Sequence, residues 1–410
     1  MTTGSAVRPW TLRVRRVPGA PVVAARCTLR GGARIEEIPG QVSVTGRLLT
    51  EGTTRRSWDR IAEQAEDLGM LLGSSGTFEG HGLSVDALAE DWRHALDGLA
   101  ELLLDSTFPE DRCHWLCRQT AAELESLGDQ PDVRTSWGFL EQLYTPHPRA
   151  RPVQGTTEGL ARLGAEDCAG FHRRALDRGF VLAVAGDLDE DQVRAHAQAL
   201  LGAETTAAVT GEQPVAPVGL AEPRREVVVA GDQAHLFAGG LSVTRDHADA
   251  TALEVLAVIL GAGSGLSGRL PTRIREREGL AYSTQVATLA GAGFDRGRWM
   301  VYVGTSPSTV AQAERAVREE LARLLEDGVS EEEVADARAY LVGREAFRRE
   351  TARQWATLML EAELYGRPFD QPEWCLEQLE AVDRERIETV ARRHLRLEEL
   401  KVTVGRPRGS

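Results

Sequence analysis

Metal or nucleophile chemistry would begin at histidines, cysteines and acids, so their spacing is read first. The nine histidines are His81, His94, His114, His147, His172, His196, His235, His247 and His394. No two are three or four residues apart, so no helix offers two imidazoles on one face to a zinc ion. The five cysteines, Cys27, Cys113, Cys117, Cys168 and Cys375, are odd in number and too sparse for a disulfide framework. Cys113-His-x-x-Cys117 puts two thiols on one helical face, but no second pair lies nearby, and they read as buried helical thiols. The glycine-rich run Leu260–Leu270 lacks phosphate-loop spacing and any lysine, and no βαβ unit with a ribose-binding acid surrounds it. It reads as a joint between helices. No G-x-S-x-G is present, and Ser43 has no His or Asp signature beside it, which argues against a serine hydrolase.

Composition narrows the classes further. Lys+Arg 48 against Asp+Glu 62 leaves a net charge of −14, which argues against nucleic-acid binding. A hydrophobic fraction of 42% is ample for a core. Lys401 is the only lysine and asparagine is absent, a bias that points to a GC-rich genome. The first residues lack the apolar core of a signal peptide, and no run approaches 18 uncharged apolar residues. The expectation is a soluble cytoplasmic protein.

The elements that must position any site come in two copies. LEQLYTPHP ends at Pro148 and LEAELYGRPF at Phe369. Each is followed by a helical run and then an apolar strand, FVLAVAGD near 180–187 and LKVTVG at 400–405. Upstream, VVAARCTLRGG at 22–32 matches AHLFAGGLSV at 234–243. Each copy reads as two strands, two helices, a hairpin, three or four helices and a closing strand. Val-rich runs at 225–231 and 298–304 predict strands. Residues 309–328 predict a helix stopped by Gly328, and the capping box Ser330-x-x-Glu333 starts another that reaches about Arg349. The fold class is α+β: two homologous sandwiches, each an antiparallel sheet covered by helices. The domains are 1–205 and 225–410, joined by an Ala/Pro/Gly/Thr-rich linker at 206–224.

This order of landmarks, from about Thr11 to Gly405, resembles the pitrilysin/insulinase metallopeptidases. The likeness is strongest to their short two-domain subunits, typified by mitochondrial processing peptidase. The family carries H-x-x-E-H on a first-half helix, where two histidines hold zinc and the glutamate activates water. An L-x-x-G-T segment follows, represented here by Leu48 to Thr53. Counting back from it, the ligand positions hold Ser43 and Arg47, and the base position holds Gly46. Serine is a poor neutral ligand, glycine is no base, and Arg47 is a permanent cation where the metal would sit. The family's third ligand maps to Glu123, upstream of Asp129-Gln130-Pro131. We expect it either to pair with Arg47 across the empty position or to remain a solvated helix glutamate. The resemblance therefore implies no metal in this chain.

The same resemblance assigns a role in the second half. Arg275-Glu-Arg-Glu-Gly-Leu-Ala-Tyr282 matches the family's R-x-x-x-x-x-x-Y pair, which contacts the substrate carbonyl and stabilises developing negative charge. The residues from Gly73 to Thr77 and from Gly80 to Val85 match the hairpin whose edge strand accepts peptide in active members, weakened here by glycines. A substrate-handling role for the Leu260–Leu270 run is a further implication. The expected function is a non-zinc subunit, inactive alone. It would pair with a homologous zinc-bearing chain into a heterodimeric metalloendopeptidase that cleaves peptides in a closed chamber, with Arg275 and Tyr282 acting in trans. The alternative is a catalytically silent scaffold subunit.

Overall fold

The computed structural model describes residues 8–205, 217–263 and 267–409. The first half runs β1 (Trp10–Arg16), β2 (Val22–Arg30), α1 (Gln41–Leu48), α2 (Trp58–Asp67), β3 (Leu71–Gly76), β4 (Gly80–Leu88), α3 (Trp92–Leu104), α4 (Glu110–Gly128), α5 (Pro131–Tyr144), α6 (Thr157–Leu160), α7 (Ala165–Arg178), β5 (Phe180–Gly186) and α8 (Glu190–Leu201). The second runs β6 (Arg224–Val229), β7 (Ala234–Leu241), α9 (Ala250–Ala257), α10 (Arg269–Pro271), β8 (Ala281–Ala290), β9 (Arg298–Thr305), α11 (Val310–Asp327), α12 (Glu331–Glu345), α13 (Ala352–Tyr365), α14 (Pro372–Glu380), α15 (Arg384–His394) and β10 (Lys401–Pro407).

The strand order along the chain is the one the repeats imply, but five helices rather than three or four precede each closing strand and α8 follows β5; the sheets share one topology. Their strand orders are β1-β5-β2-β4-β3 and β6-β10-β7-β9-β8. The closing strand of each half slots between the first two, parallel to the first and antiparallel to the second. The sheets are therefore mixed, because the long helical connection returns the chain in the same direction. β5 is buried along its whole length, which explains its uninterrupted apolar sequence.

Packing divides the chain differently from the sequence repeat. One compact unit comprises residues up to Leu124, Pro152–Glu212 and Arg348–Asp370; the other comprises Glu125–Arg151, Gln213–Phe347 and Gln371 onward. Thus α13, from the second half, lies on β1, β5 and β2, while α5, from the first half, lies on β6, β10 and β7. In the first unit Ala352, Trp355, Ala356 and Met359 pack on Ala24, Ala183 and Ala185. In the second, Phe139 stacks on Phe237 at 5.8 Å between ring centroids, and Phe237 meets Tyr302 at 4.9 Å.

Of the linker at 206–224, residues 206–216 lie outside the described residues. The rest runs irregularly into β6, held by Lys401 Nζ, which donates to the carbonyl oxygens of Leu220, Ala221 and Glu222 at 2.6, 3.3 and 3.3 Å. Among the described residues, no helix is long and apolar enough to cross a membrane.

Candidate functional site

The first-half positions come together on α1 and α4. Arg47 and Glu123 face each other as a fork, Nη1 to Oε2 at 3.0 Å and Nη2 to Oε1 at 3.2 Å. Arg47 Nη1 also donates to Thr120 Oγ1 at 2.9 Å. Such a bidentate pair engages both carboxylate oxygens and fixes the guanidinium plane. Ser43, one turn before Arg47, is buried. Gly46 is packed against backbone: a Cβ there would lie 2.4 Å from the Ser75 carbonyl oxygen of β3. These residues do not fit a zinc ion. They offer one carboxylate, already bound to a cation, and no imidazole.

The segment after α1 is held by side chains. Thr53 Oγ1 donates to Glu101 Oε1 at 2.6 Å and accepts from the Arg56 amide at 2.9 Å, while Glu51 pairs with Arg112. That guanidinium lies between the rings of Trp58 and Trp115, 4.8 and 4.6 Å from their centroids.

The second-half positions lie on irregular backbone. Arg275 sits on a π-helical turn, Thr272–Arg277, and is half-buried. Its neighbours do the anchoring. Ile274 is fully buried, and Arg273 binds Glu278 at 2.9 Å and also Glu319 of α11. Arg269 forks onto Glu333 of α12 at 2.6 and 2.8 Å. Arg273 bonding outweighs burial and holds the Glu278 carboxyl below its usual range. Tyr282 occupies the bulge in β8: Ala281 pairs with Thr305 and Ser283 with Gly304, so Tyr282 is the extra residue. Sequence reading missed the anchors, although arginines four apart with acids on the next two helices are a usable signal.

Residues 264–266 of the glycine run lie outside the described residues. On either side Gly261 and Gly268 press together: a Cβ on Gly268 would lie 2.6 Å from the Gly261 Cα. A second irregular helical turn, Val258–Ala262, kinked at Gly261, leads into the run. These two glycines serve a close backbone crossing, which a simple flexible joint would not need.

The histidines and cysteines form two further groupings. His81 of β4 and His172 of α7 are buried and bonded, Nε2 to Nδ1 at 3.0 Å, with His172 Nε2 donating to the Leu103 carbonyl oxygen at 2.8 Å. Burial lowers the His172 pKa to about 4, and burial with the neighbouring ring drives His81 well below its usual range. Both are neutral at pH 7, leaving His81 Nδ1 without a partner. All five thiols are buried and free; the Cys117 contact lowers the Cys113 pKa, but interaction with Cys168 and burial outweigh it and push that thiol up to about 12. These thiols are unreactive core groups.

His247, Asp249 and His394 place three ligand-type atoms within 4.8 Å of one another. The buried Asp249 carboxylate already accepts from Arg386, from Arg393 at 3.0 Å and from His394 at 2.7 Å. Burial alone would raise its pKa, but these bonds hold it below the usual range. Two arginines on one carboxylate repel a further cation, so the cluster is an ion-pair hub tying α15 to the start of α9.

Residues 165–341 match the family model of the peptidase M16 inactive domain. An uncharacterized zinc protease of Mycobacterium tuberculosis is 28% identical, with 97% of each chain covered. The chain is therefore similar to the M16 peptidases in sequence and in fold. A Bacillus subtilis relative, also named an uncharacterized zinc protease, is 26% identical over 92% of this chain and 91% of its own. The M16 inactive domain from Pseudomonas fluorescens shares the fold with a TM-score of 0.86 at 22% identity, covering 99% and 97% of the two chains. A chain of complex III from Candida albicans shares it with a TM-score of 0.78 at 17% identity, covering 96% and 93%. The chain thus has relatives named for zinc, while the positions that the resemblance assigns to the ligands hold Ser43 and Arg47.

Proposed function

We propose that this chain is the non-zinc subunit of a heterodimeric M16 metalloendopeptidase. The observation that supports the reading is the Arg47–Glu123 fork, which joins two of the positions that the resemblance assigns to the metal site. Metal and general base then come from a homologous zinc-bearing partner. Arg275 and Tyr282 of this chain supply donors to the substrate carbonyl, where negative charge grows as the peptide bond is attacked. Anchoring of the Arg275 turn through Arg269 and Arg273 supports this role, because such donors act by being preorganised. The substrates are peptides or unfolded segments able to enter a chamber.

The test is purification of the chain alone and with a zinc-bearing homologue from the same genome, followed by metal analysis and peptide hydrolysis. Zinc and cleavage are expected only in the pair. Zinc-dependent cleavage by the isolated chain would overturn the proposal. A stable pair in which this chain adds nothing to the partner's rate would favour the scaffold role.

A further inference from the structure

We infer that the base position of this chain has been closed by the backbone, whereas its ligand positions remain able to hold a metal once their side chains are replaced. The inactivity then has two separable parts, and one of them is built into the main chain.

The closure is reciprocal. A Cβ at Gly46 would lie 2.4 Å from Ser75 O, 2.5 Å from Ser75 C and 2.8 Å from Gly76 N. From the other side, a Cβ at Gly76 would lie 2.3 Å from Val42 O and 2.8 Å from Ser43 Cα. α1 and β3 therefore meet main chain to main chain, with a glycine on each side. The atoms struck are backbone, so no rotamer change relieves the clash. Alanine normally favours a helix interior over glycine by about 1 kcal/mol; at position 46 the clash reverses that preference. A glutamate in the same place must push β3 away before its carboxylate can reach anything.

The ligand positions are different. Ser43 and Arg47 are four residues apart, so their side chains project from the same face of α1. Arg47 already reaches Glu123 at 3.0 and 3.2 Å. Imidazole is shorter than the arginine side chain, but a metal adds two bonds of about 2.1 Å each between nitrogen and carboxylate oxygen. Because those two bonds replace the present 3.0 Å contact, a metal restores about 1 Å of the reach lost with the guanidinium, and the partly exposed Glu123 side chain must supply the rest. Ser43 contributes no bulk to displace. A metal bound there would have no base beside it.

The experiment uses the full chain in four variants: S43H/R47H, the same pair with E123Q, G46A, and the triple S43H/G46E/R47H. Zinc is the probe, followed by elemental analysis after dialysis and by competition with a chromogenic chelator. Stability is followed by thermal melting. S43H/R47H is expected to bind one zinc per chain at least 100-fold more tightly than wild type and to lose it with E123Q. G46A is expected to lower the melting temperature by about 3–10 °C, the range for overpacking in a domain of this size. G98A, in the middle of α3 where a Cβ meets nothing within 4 Å, serves as the control and should melt at or above wild type. The triple variant should melt lowest and leave an unstructured peptide uncut. Failure of S43H/R47H to bind zinc would overturn the open-ligand half. A G46A melting temperature equal to wild type, or hydrolysis by the triple variant, would overturn the closed-base half. All readouts are on the isolated chain, so they do not depend on whether the paired peptidase exists.

Discussion

The two packing units share one topology and differ in what was done with it. Each sheet has its closing strand between its first two, and each carries a helix from the opposite half of the chain. In the first unit that helix, α13, docks through alanines and charge. Arg15 stacks on Trp355 at 3.5 Å, and Asp86 bridges Arg26 and Arg353 at 2.8 and 2.6 Å. In the second unit α5 docks through aromatic rings, Phe139 on Phe237 and Phe237 on Tyr302. The contrast sharpens at the family's functional positions. In the first unit α1 is a regular helix sealed on β3 by paired glycines. In the second, the corresponding region has a kink at Gly261, a π-helical turn at Thr272–Arg277 and a bulge at Tyr282. Irregular backbone costs stability and is retained where a side chain must be aimed. Thus the regular backbone lies at the first unit's candidate positions and the irregular backbone at the second unit's.

The largest effects should separate the two docking modes. Phe139→Ala removes a fully buried ring and should cost about 3–5 kcal/mol, with the loss read in the second unit by hydrogen exchange. Trp355→Ala removes a ring that stays slightly exposed and should cost about 3 kcal/mol, read in the first unit. If either loss spreads equally over both units, they do not fold as the packing division implies.

Acid should weaken the first unit next. Folded His172 takes a proton only near pH 4, against about 6.5 when unfolded. Between those values the unfolded chain binds more protons, so stability present at pH 7 is lost as pH falls below about 6.5. The loss approaches ~3 kcal/mol for that group once pH is below 4. His81 adds to it in the same direction. In the second unit burial also lowers His235 and His394. Melts between pH 7 and 4.5 on wild type and H172Q should show a shallower acid slope in the variant. Equal slopes would mean the buried pair does not govern acid sensitivity.

The smallest expected effect is the Arg47–Glu123 coupling. Both side chains are partly solvated, so a double-mutant cycle with R47M and E123Q should give about 1 kcal/mol, reduced by salt. A coupling near zero would make the fork a surface pair with no role in replacing the metal.

Much of this was legible in the sequence. Valine-rich runs marked β6, β9 and β10, and the Ser330–Glu333 capping box marked the start of α12, where both of its bonds form. The helix expected to reach Arg349 ends at Glu345 and tightens into a 3-10 turn. The exchange of α5 and α13 was not legible, because apolar periodicity says that a helix is half-buried and not which sheet buries it. Nor was the His81–His172 pair, whose members are 91 residues apart on a strand and a helix. At the candidate site, residue identity showed what Ser43, Gly46 and Arg47 lack. Only the three-dimensional approach of β3 showed that Gly46 is closed from outside.

The central claim is that working side chains survive in the second unit and not at the first-unit zinc position. It is tested most directly by steady-state kinetics of the reconstituted pair carrying R275A or R47A in this chain. We predict that R275A lowers kcat by about 10²–10³ without dissociating the pair, that Y282F acts in the same direction, and that R47A stays within about twofold of wild type. Wild-type turnover in R275A, or a large loss in R47A, would contradict the account.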